Sequence, residues 1–248
     1  MTAAEKSARE REQGMRIDFH AHILPEMDHG CASVEEAMGQ LQLAAAAGVD
    51  CVVATSHFYP QCETVENFVD RRRRAAEKLF CGPRSDSPRS ISPQAIWPRV
   101  ILGAEVLLCA GMERMEGLEQ LCVENTGVLL LEMPFSAWED SILETLSALQ
   151  HRRDLKLVLA HIERYTPENL ARLSGEPCRV QVNGSFCRSF RKRRIVGEFA
   201  RQGRVVALGS DIHGAGKTAY RDFQRAQRQL ERMGFSMGIT ERLLGWQG

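Results

Sequence analysis

The sequence predicts an α/β fold in which about seven strand–helix units form a parallel barrel, or a distorted version of one. Short apolar runs of strand length alternate along the chain with longer segments of helical periodicity. Histidines and acidic residues directly follow several of these runs, and in a parallel barrel all such positions open on one face. The chain has 248 residues, 44% of them hydrophobic, which suits one domain of barrel size.

Capping and turn residues set the limits of the elements before residue 98. Ser33 can cap a helix N-terminus, and Glu36 three residues later completes a capping box. Gly48 is placed to end that helix. Four prolines and several serines between 81 and 98 predict a long loop. The elements are, in order, a strand over 15–20, a helix over 33–47, a strand over 50–55, a helix over 64–80 and this loop.

The second half of the chain repeats the alternation of strand and helix. Pro167 suits the first turn of a helix, where its missing N–H has no intrahelical role. A short helix is expected between the strands over 99–104 and 127–131. The remaining elements are a helix over 139–152, a strand over 155–160, a helix from 167, a strand over 179–182, a basic helix over 186–202, a strand over 205–208 and a helix over 218–233.

Composition argues against several broad classes of function. Lysine plus arginine and aspartate plus glutamate each number 32, so the zero net charge disfavours a broad nucleic-acid or membrane surface. Residues 1–14 are polar and lack an apolar signal segment. We therefore expect them to form an extension that precedes a single domain over 15–248. We also expect a cytoplasmic protein that does not insert into the membrane. The 8 cysteines form no Cys-x-x-Cys pair and are expected to be reduced. The oligomeric state stays open.

Histidines and acids concentrate at the predicted strand ends. His20 and His22 alternate along the first strand and share one face, where two imidazoles can hold a metal ion. For this segment alone, a surface loop that is histidine-rich by chance is the alternative. The other positions favour a metal site, since scattered histidines would not prefer strand ends. The candidate ligands are His20, His22, Asp28, His29, His57, Glu105, Glu132, His161, Asp211 and His213.

This mixture of imidazoles and carboxylates suits zinc, manganese or iron and needs no thiolate. The candidates outnumber what one ion can take, and a carboxylate that bridges two ions would use the surplus. Two ions roughly 3.5–4 Å apart can activate water and hold both oxygens of an in-line displacement. The residues therefore predict hydrolysis of a phosphate ester.

Several short motifs follow one another in a characteristic order. In chain order they are Asp-x-His-x-His from Asp18, His-Ile-Leu-Pro from His22, Thr-x-His to His57, Gly-Ala-Glu to Glu105, Ala-His-x-Glu-Arg-Tyr from Ala160, Gln-Val-Asn-Gly-Ser over 181–185 and Ser-Asp-x-His from Ser210. Together they resemble the polymerase-and-histidinol-phosphatase (PHP) superfamily, and most of all its bacterial manganese-dependent tyrosine-protein phosphatases of capsule and exopolysaccharide synthesis. The match runs from about Arg16 to Tyr220, so chance agreement is a poor explanation.

The resemblance implies a distorted (β/α)7 barrel of the PHP type that binds up to three ions. Manganese is the implied metal, with iron or zinc as alternatives. Glu105 would bridge two of the ions. The implied ligand sets are His20, His22, Glu105 and Asp211 for the first ion, Glu105, His161 and Glu132 for the second, and His57, His213 and Asp28 or His29 for the third.

The resemblance also implies a substrate and a partner. Arg164 would clamp the phosphate, because a guanidinium fork matches phosphate oxygens, although pairing with an acid at the rim is the alternative. His161 and Asp211 would take part in catalysis, in which a metal-activated hydroxide attacks phosphotyrosine in a protein. The expected partner is an autophosphorylating bacterial tyrosine kinase. A small-molecule phosphomonoesterase such as histidinol-phosphatase, and an inactive metal-binding protein, are the alternatives.

The sequence departs from the family in two places. The turn reads Asp28-His29-Gly30 where the family has Asp-Asp-Gly, so His29 takes the usual ligand position. Asp28 is then either a ligand or a residue that orients one. Ile162 replaces the proline of the family's Ala-His-Pro-Glu-Arg motif, which bears on the rigidity of the loop more than on its chemistry.

Some candidates keep simpler alternatives. Glu105 can be read as an acid at a helix start, and Glu132 as a carboxylate that binds a backbone amide beside Pro134. Cys187 and Arg193 have the Cys-x5-Arg spacing of cysteine phosphatases. Because the residues between them lack the glycines that turn amides towards phosphate, we expect no cysteine mechanism.

Overall fold

A computed structural model defines the fold over residues 14–81, 97–173, 177–214 and 218–246. The extension expected over 1–14 and the loop expected over 81–98 lie almost wholly outside these described residues. The strands are β1 (Ile17–Ala21), β2 (Cys51–Ala54), β3 (His57–Phe58), β4 (Arg99–Leu102), β5 (Glu105–Leu107), β6 (Val128–Glu132), β7 (Lys156–Leu159), β8 (Arg179–Asn183) and β9 (Val205–Gly209). The α-helices are α1 (Val34–Ala46), α2 (Val65–Cys81), α3 (Asp140–Gln150), α4 (Pro167–Ala171), α5 (Phe190–Arg201), α6 (Ala219–Glu231) and α7 (Met237–Leu244).

The strands form two parallel sheets that adjoin. One has the order β1-β2-β4 and the other the order β3-β5-β6-β7-β8-β9. Two segments of the chain pass directly from the first sheet to the second. In each of them a strand of the first sheet is followed, after a break of two residues, by a strand of the second: β2 by β3, and β4 by β5. Backbone hydrogen bonds cross both breaks, from Gly103 N to Ala54 O at 2.9 Å and from Glu105 N to Ser56 O at 3.1 Å.

The first and last strands also lie side by side. Asp211 N donates to His20 O at 2.7 Å, and His22 N donates to Ile212 O at 3.2 Å, just beyond the ends of β9 and β1. Counting each broken strand once gives seven strand positions among the described residues, in the neighbour order of a distorted parallel α/β barrel. The predicted fold class is confirmed, and the strand breaks are its distortion.

Alternation along the strands divides the core into two apolar clusters. In β6, Leu129 and Leu131 belong to the larger cluster, whereas Val128 and Leu130 belong to the smaller one. Both faces of this strand are therefore buried, which explains why parallel strands of this kind read as continuous apolar runs. Helix α7 adds Leu243 to the smaller cluster.

Helix α1 begins where its capping residue predicts. Ser33 accepts a hydrogen bond from Glu36 N at 3.2 Å, and Glu36 Oε2 accepts one from Ala32 N at 2.8 Å. The basic helix expected over 186–202 is two elements, because residues 184–188 form a 3-10 helix and Ser189 then caps α5. In the described part of the chain, no helix is long and apolar enough to cross a membrane.

Candidate metal centre

The predicted ligands meet at the carboxyl ends of the strands. His20 and Glu132 lie at the ends of β1 and β6, His57 and Glu105 begin β3 and β5 after the strand breaks, and the others follow their strands closely. The parallel arrangement therefore brings residues up to 193 positions apart, from His20 to His213, to one edge. The side chains of His20, His22 and His161 are fully buried, and Glu105 is 1% exposed. The residues brought together are His20, His22, His57, Glu105, Glu132, His161, Asp211 and His213.

Glu105 is the centre of this cluster. Its Oε2 atom lies 3.0 Å from His20 Nε2, 3.3 Å from His22 Nε2 and 3.1 Å from His57 Nδ1. Its Oε1 atom lies 2.8 Å from His161 Nε2. One carboxylate therefore faces four imidazoles with both oxygens, which is the arrangement a bridging ligand requires.

Asp211 and Glu132 complete the carboxylate set. Asp211 Oδ1 lies 3.4 Å from His22 Nε2 and 3.5 Å from His213 Nδ1. Glu132 Oε1 lies 3.2 Å from His161 Nε2. Among the residues that the structure describes, three groups have ligand atoms within 4.8 Å of one another: His20, His22 and Asp211; His57, Glu105 and Glu132; and His22, His57 and His213.

Asp28 and His29, the two candidate ligands in the turn after β1, make different contacts. Asp28 Oδ2 accepts hydrogen bonds from His22 Nδ1 at 2.8 Å and His57 N at 3.0 Å, and Oδ1 accepts one from Gly30 N at 2.8 Å. Both carboxylate oxygens are thus engaged by protein donors. The His29 ring instead stacks on the rings of His57 and His213, with centroids 5.1 and 4.6 Å away.

Two residues of the cluster have strained backbone conformations. His161 has φ 30° and Asp211 has φ 50°, in the left-handed region that non-glycine residues rarely adopt. The amide of His161 donates to Gln181 Oε1 at 2.7 Å, and that of Asp211 donates to His20 O. These hydrogen bonds stabilise the two strained residues in positions from which His161 contacts Glu105 and Asp211 contacts His22.

Gln181 and Asn183, which the sequence indicates only as part of a motif, both contact the cluster. Gln181 Oε1 lies 3.2 Å from His20 Nδ1, and Asn183 Nδ2 donates to Asp211 Oδ2 at 2.9 Å. The two residues are two positions apart on β8 and therefore share a face, a spacing that is visible in the sequence. Tyr59 and Phe135, whose aromatic rings line the adjoining cleft, are not among the residues predicted from the sequence.

Arg164 lies where the cluster opens to solvent. Its guanidinium donates to Asp211 Oδ2, and its side chain is 35% exposed. The alternative of an acid partner is therefore realised in this structure, and the partner is Asp211. Arg164 also lines a cleft of about 450 Å³ together with His29, His57, Tyr59, Leu107, Glu132, Pro134, Phe135, Asp211 and His213.

Charges within the cluster shift its pKa values in opposite directions. Burial lowers the pKa of His22 and His161, but hydrogen bonds to the carboxylates outweigh it, and the pKa of His161 rises to about 9. Burial raises the pKa of Glu105, but the adjacent histidines hold it well below its usual range. Burial lowers the pKa of His57 to about 4, so this imidazole is neutral at pH 7.

The donor set fits divalent metal ions. Imidazole nitrogens and carboxylate oxygens converge without any thiolate, as zinc, manganese and iron sites require. The Nε2 atom of His213 is buried and has no hydrogen-bond partner among the described residues, which leaves a lone pair or proton uncompensated. A metal ion held by His213 would satisfy such an atom.

The fold and this cluster define a protein of the α/β-barrel class with a candidate metal centre at the carboxyl ends of its strands. The chain belongs to the CpsB/CapC family of capsular polysaccharide synthesis, whose sequence profile matches residues 16–237. This membership confirms the resemblance that the motifs indicate.

Known proteins similar to this chain have related descriptions. The tyrosine-protein phosphatase CpsB of Streptococcus agalactiae is 25% identical over 219 residues, which cover 79% of this chain and 82% of the relative. A crystal structure reported for YwqE of Bacillus subtilis and CpsB of Streptococcus pneumoniae, described as metal-dependent tyrosine phosphatases, superposes with a TM-score of 0.71. The two sequences are 21% identical, and the match covers 94% of this chain and 95% of the chain in that structure.

A second solved structure has the same kind of fold with lower similarity. The histidinol phosphate phosphatase of Lactococcus lactis, solved with zinc, L-histidinol and phosphate, has a TM-score of 0.52 and 14% identity. The match covers 89% of this chain and 94% of that one. Both likenesses establish the fold.

Proposed function

We propose that this protein is a metal-dependent phosphatase that hydrolyses phosphotyrosine in proteins during bacterial polysaccharide synthesis. The observation that carries the proposal is the convergence of four imidazoles on Glu105 beside a cleft lined by Arg164. The family description, capsular polysaccharide synthesis, and the name of the S. agalactiae relative, a tyrosine-protein phosphatase, support the same activity.

The proposed ligands form overlapping sets around Glu105. Up to three divalent ions, with manganese as the proposed metal and iron or zinc as alternatives, would supply positive charge and acidify a water for attack on phosphorus. Asp28 is proposed to orient His22 rather than to bind metal, because its oxygens are engaged by protein donors. The proposed ligands are His20, His22, Glu105 and Asp211; His161 and Glu132; and His57, His213 and His29.

Arg164 is proposed to bind the phosphate. A guanidinium has five N–H donors in a fixed fork, so contact with Asp211 leaves donors for phosphate oxygens in the cleft. Asp211 would hold the fork in the orientation that phosphate needs. The charge of Arg164 would then offset the negative charge on phosphate as the tyrosine departs as its phenol.

The proposed partner is an autophosphorylating bacterial tyrosine kinase of polysaccharide synthesis, which this enzyme would return to its unphosphorylated state. Such a kinase presents phosphotyrosine in the cytoplasm, and we propose that the protein acts there. A partly exposed arginine at the mouth of a cleft is accessible to a phosphotyrosine side chain that projects from a protein surface.

The deciding experiment compares a phosphotyrosine peptide with histidinol phosphate, each with added manganese and again after chelation. Manganese-dependent turnover that favours the peptide is the expected result. Preference for histidinol phosphate would overturn the protein substrate and make the chain a small-molecule phosphomonoesterase. If the protein binds metal but hydrolyses neither substrate, it is a metal-binding protein without the proposed phosphatase activity.

A further inference from the structure

Phe135 is a large apolar side chain left in solvent beside the metal centre. It is 58% exposed, and of the exposed large apolar residues in the described part of the chain it is the one that lines the cleft. Its ring lies 5.8 Å from that of His161, nearly parallel at 15°, and 6.0 Å from that of Tyr165. One face of the ring thus rests on a candidate metal ligand.

The loop that carries Phe135 is fixed on both sides of it. Tyr165 and Asn169 form hydrogen bonds with the loop backbone from outside the loop, and Trp138 forms one from within it, so the backbone is held on both sides of Phe135. The hydrogen bonds are Met133 N to Tyr165 Oη at 2.9 Å, Trp138 Nε1 to Pro134 O at 2.7 Å, Asn169 Nδ2 to Ser136 O at 2.9 Å and Trp138 N to Asn169 Oδ1 at 3.1 Å. A ring held in this way loses little entropy when a ligand packs against it.

The cleft is lined by apolar and aromatic side chains as well as by charged and imidazole ones. Tyr59, Leu107, Pro134 and Phe135 are the apolar and aromatic members, and Tyr59 stacks on His57 with centroids 5.3 Å apart. A phosphate bound by Arg164 would therefore share the cleft with apolar surface, against which its ester substituent can pack.

We propose that Phe135 stacks on the aromatic ring of the substrate and makes the cleft selective for aryl over alkyl phosphomonoesters. This rests on the proposed phosphatase function and names the chemical class that the same site prefers. An aromatic pair contributes beyond its buried area, by about three- to tenfold in a rate or binding constant. Phosphotyrosine has the ring that benefits, whereas an aliphatic phosphoester has none.

The test compares phenyl phosphate with ethyl phosphate in the metal-loaded protein. Phe135→Ala is expected to lower kcat/KM for phenyl phosphate about three- to tenfold and to leave that for ethyl phosphate unchanged. Phe135→Tyr should restore the preference, and Phe135→Leu should not, because it keeps apolar volume without a ring. Phe80→Ala, at an exposed phenylalanine on α2 that does not line the cleft, is the matched control.

A binding measurement makes the proposal independent of turnover. Phenylphosphonate should bind the wild-type protein more tightly than methylphosphonate in calorimetry, and Phe135→Ala should remove that difference. Equal loss for both ligands or both esters would show that Phe135 acts only by supporting His161, and would overturn the proposal. If neither ester is hydrolysed, the proposed function fails, while the phosphonate comparison still decides whether Phe135 recognises an aromatic ring.

Discussion

The carboxylate of Asp28 holds the imidazole of His22 by a hydrogen bond of 2.8 Å from Nδ1 to Oδ2. This leaves Nε2 of His22 facing Glu105 and Asp211, at 3.3 and 3.4 Å. The contact fixes which nitrogen of His22 is available to a metal ion. It also explains the direction of the pKa of Asp28: burial raises it, but the hydrogen bond and charge of His22 hold it well below its usual range.

Asp28→Asn should weaken metal binding without removing a ligand. A single amide oxygen cannot accept from His22, His57 and Gly30 as the two carboxylate oxygens do. Loss of an orienting partner of this kind lowers metal affinity by about 10- to 100-fold, to be measured by competition with a chelator. Asp70→Asn, on the exposed face of α2, is the control. Complete loss of one ion with the others bound normally would make Asp28 a ligand instead.

His29→Asp should preserve metal content, and His29→Ala should lower it by one ion. The aspartate variant restores the acidic turn typical of the family, and the histidine ring already lies against the rings of His57 and His213. Elemental analysis of the purified variants gives the ion count. Equal metal content in His29→Ala and the wild type would remove His29 from the ligand set.

The strand ends could be predicted from the sequence because apolar runs mark parallel strands and the fold then fixes where they end. His20, Glu105 and His161 lie where that reasoning puts them. The breaks that make β3 and β5 separate strands could not be predicted, because they depend on pairing between His57 and Glu105 across the two segments. Sequence spacing likewise shows that Asp28 and His29 are close to His22 without showing which atoms meet.

Helix α7 and the position of Phe135 are two further features that were not predicted from the sequence. Residues 237–244 include Gly238, Ile239 and Thr240, which are weak helix formers, yet Leu243 packs in the core and the helix forms. Phe135 is placed by hydrogen bonds that Trp138 and Asn169 make with its loop. Tertiary contacts place Phe135, whereas Ser236 and Gly245, which flank α7, are local signals of that helix.

Arg164→Ala should lower kcat/KM by about 10- to 100-fold, since hydrogen bonds to a charged group contribute about 1.5–3 kcal/mol. Arg164→Lys should recover part of the loss, because lysine keeps the charge but not the fork. Metal content should stay normal in both variants, as measured by elemental analysis. Lower metal content in Arg164→Lys would mean that Arg164 serves to position Asp211 rather than to bind phosphate.

Cys187→Ser should leave turnover unchanged, whereas His161→Ala should abolish it with the fold retained. Burial raises the pKa of the Cys187 thiol, which disfavours the thiolate that a cysteine phosphatase needs. His161 instead contacts both Glu105 and Glu132. Circular dichroism establishes folding, and steady-state kinetics establishes turnover. Activity lost in Cys187→Ser would revive the cysteine mechanism.

Metal binding should release protons near pH 7, and the metal-free protein should lose stability as the pH rises. Burial lowers the pKa of His161, but hydrogen bonds to Glu105 and Glu132 outweigh it and raise the pKa from 6.5 to about 9. A metal ion needs the neutral imidazole, so it must displace this proton. Calorimetry in buffers of different ionisation enthalpy counts the protons released.

The same shift fixes the sign of the stability change in the chelated protein. Because the folded-state pKa of His161 lies above the unfolded value of 6.5, its contribution is complete below pH 6.5 and is lost as the pH rises through about 9. Urea unfolding should therefore give a lower free energy at pH 9 than at pH 6.5. His161→Ala should flatten this dependence, whereas substitution of the exposed His151 should not. A dependence that survives in His161→Ala would assign the proton to another member of the cluster.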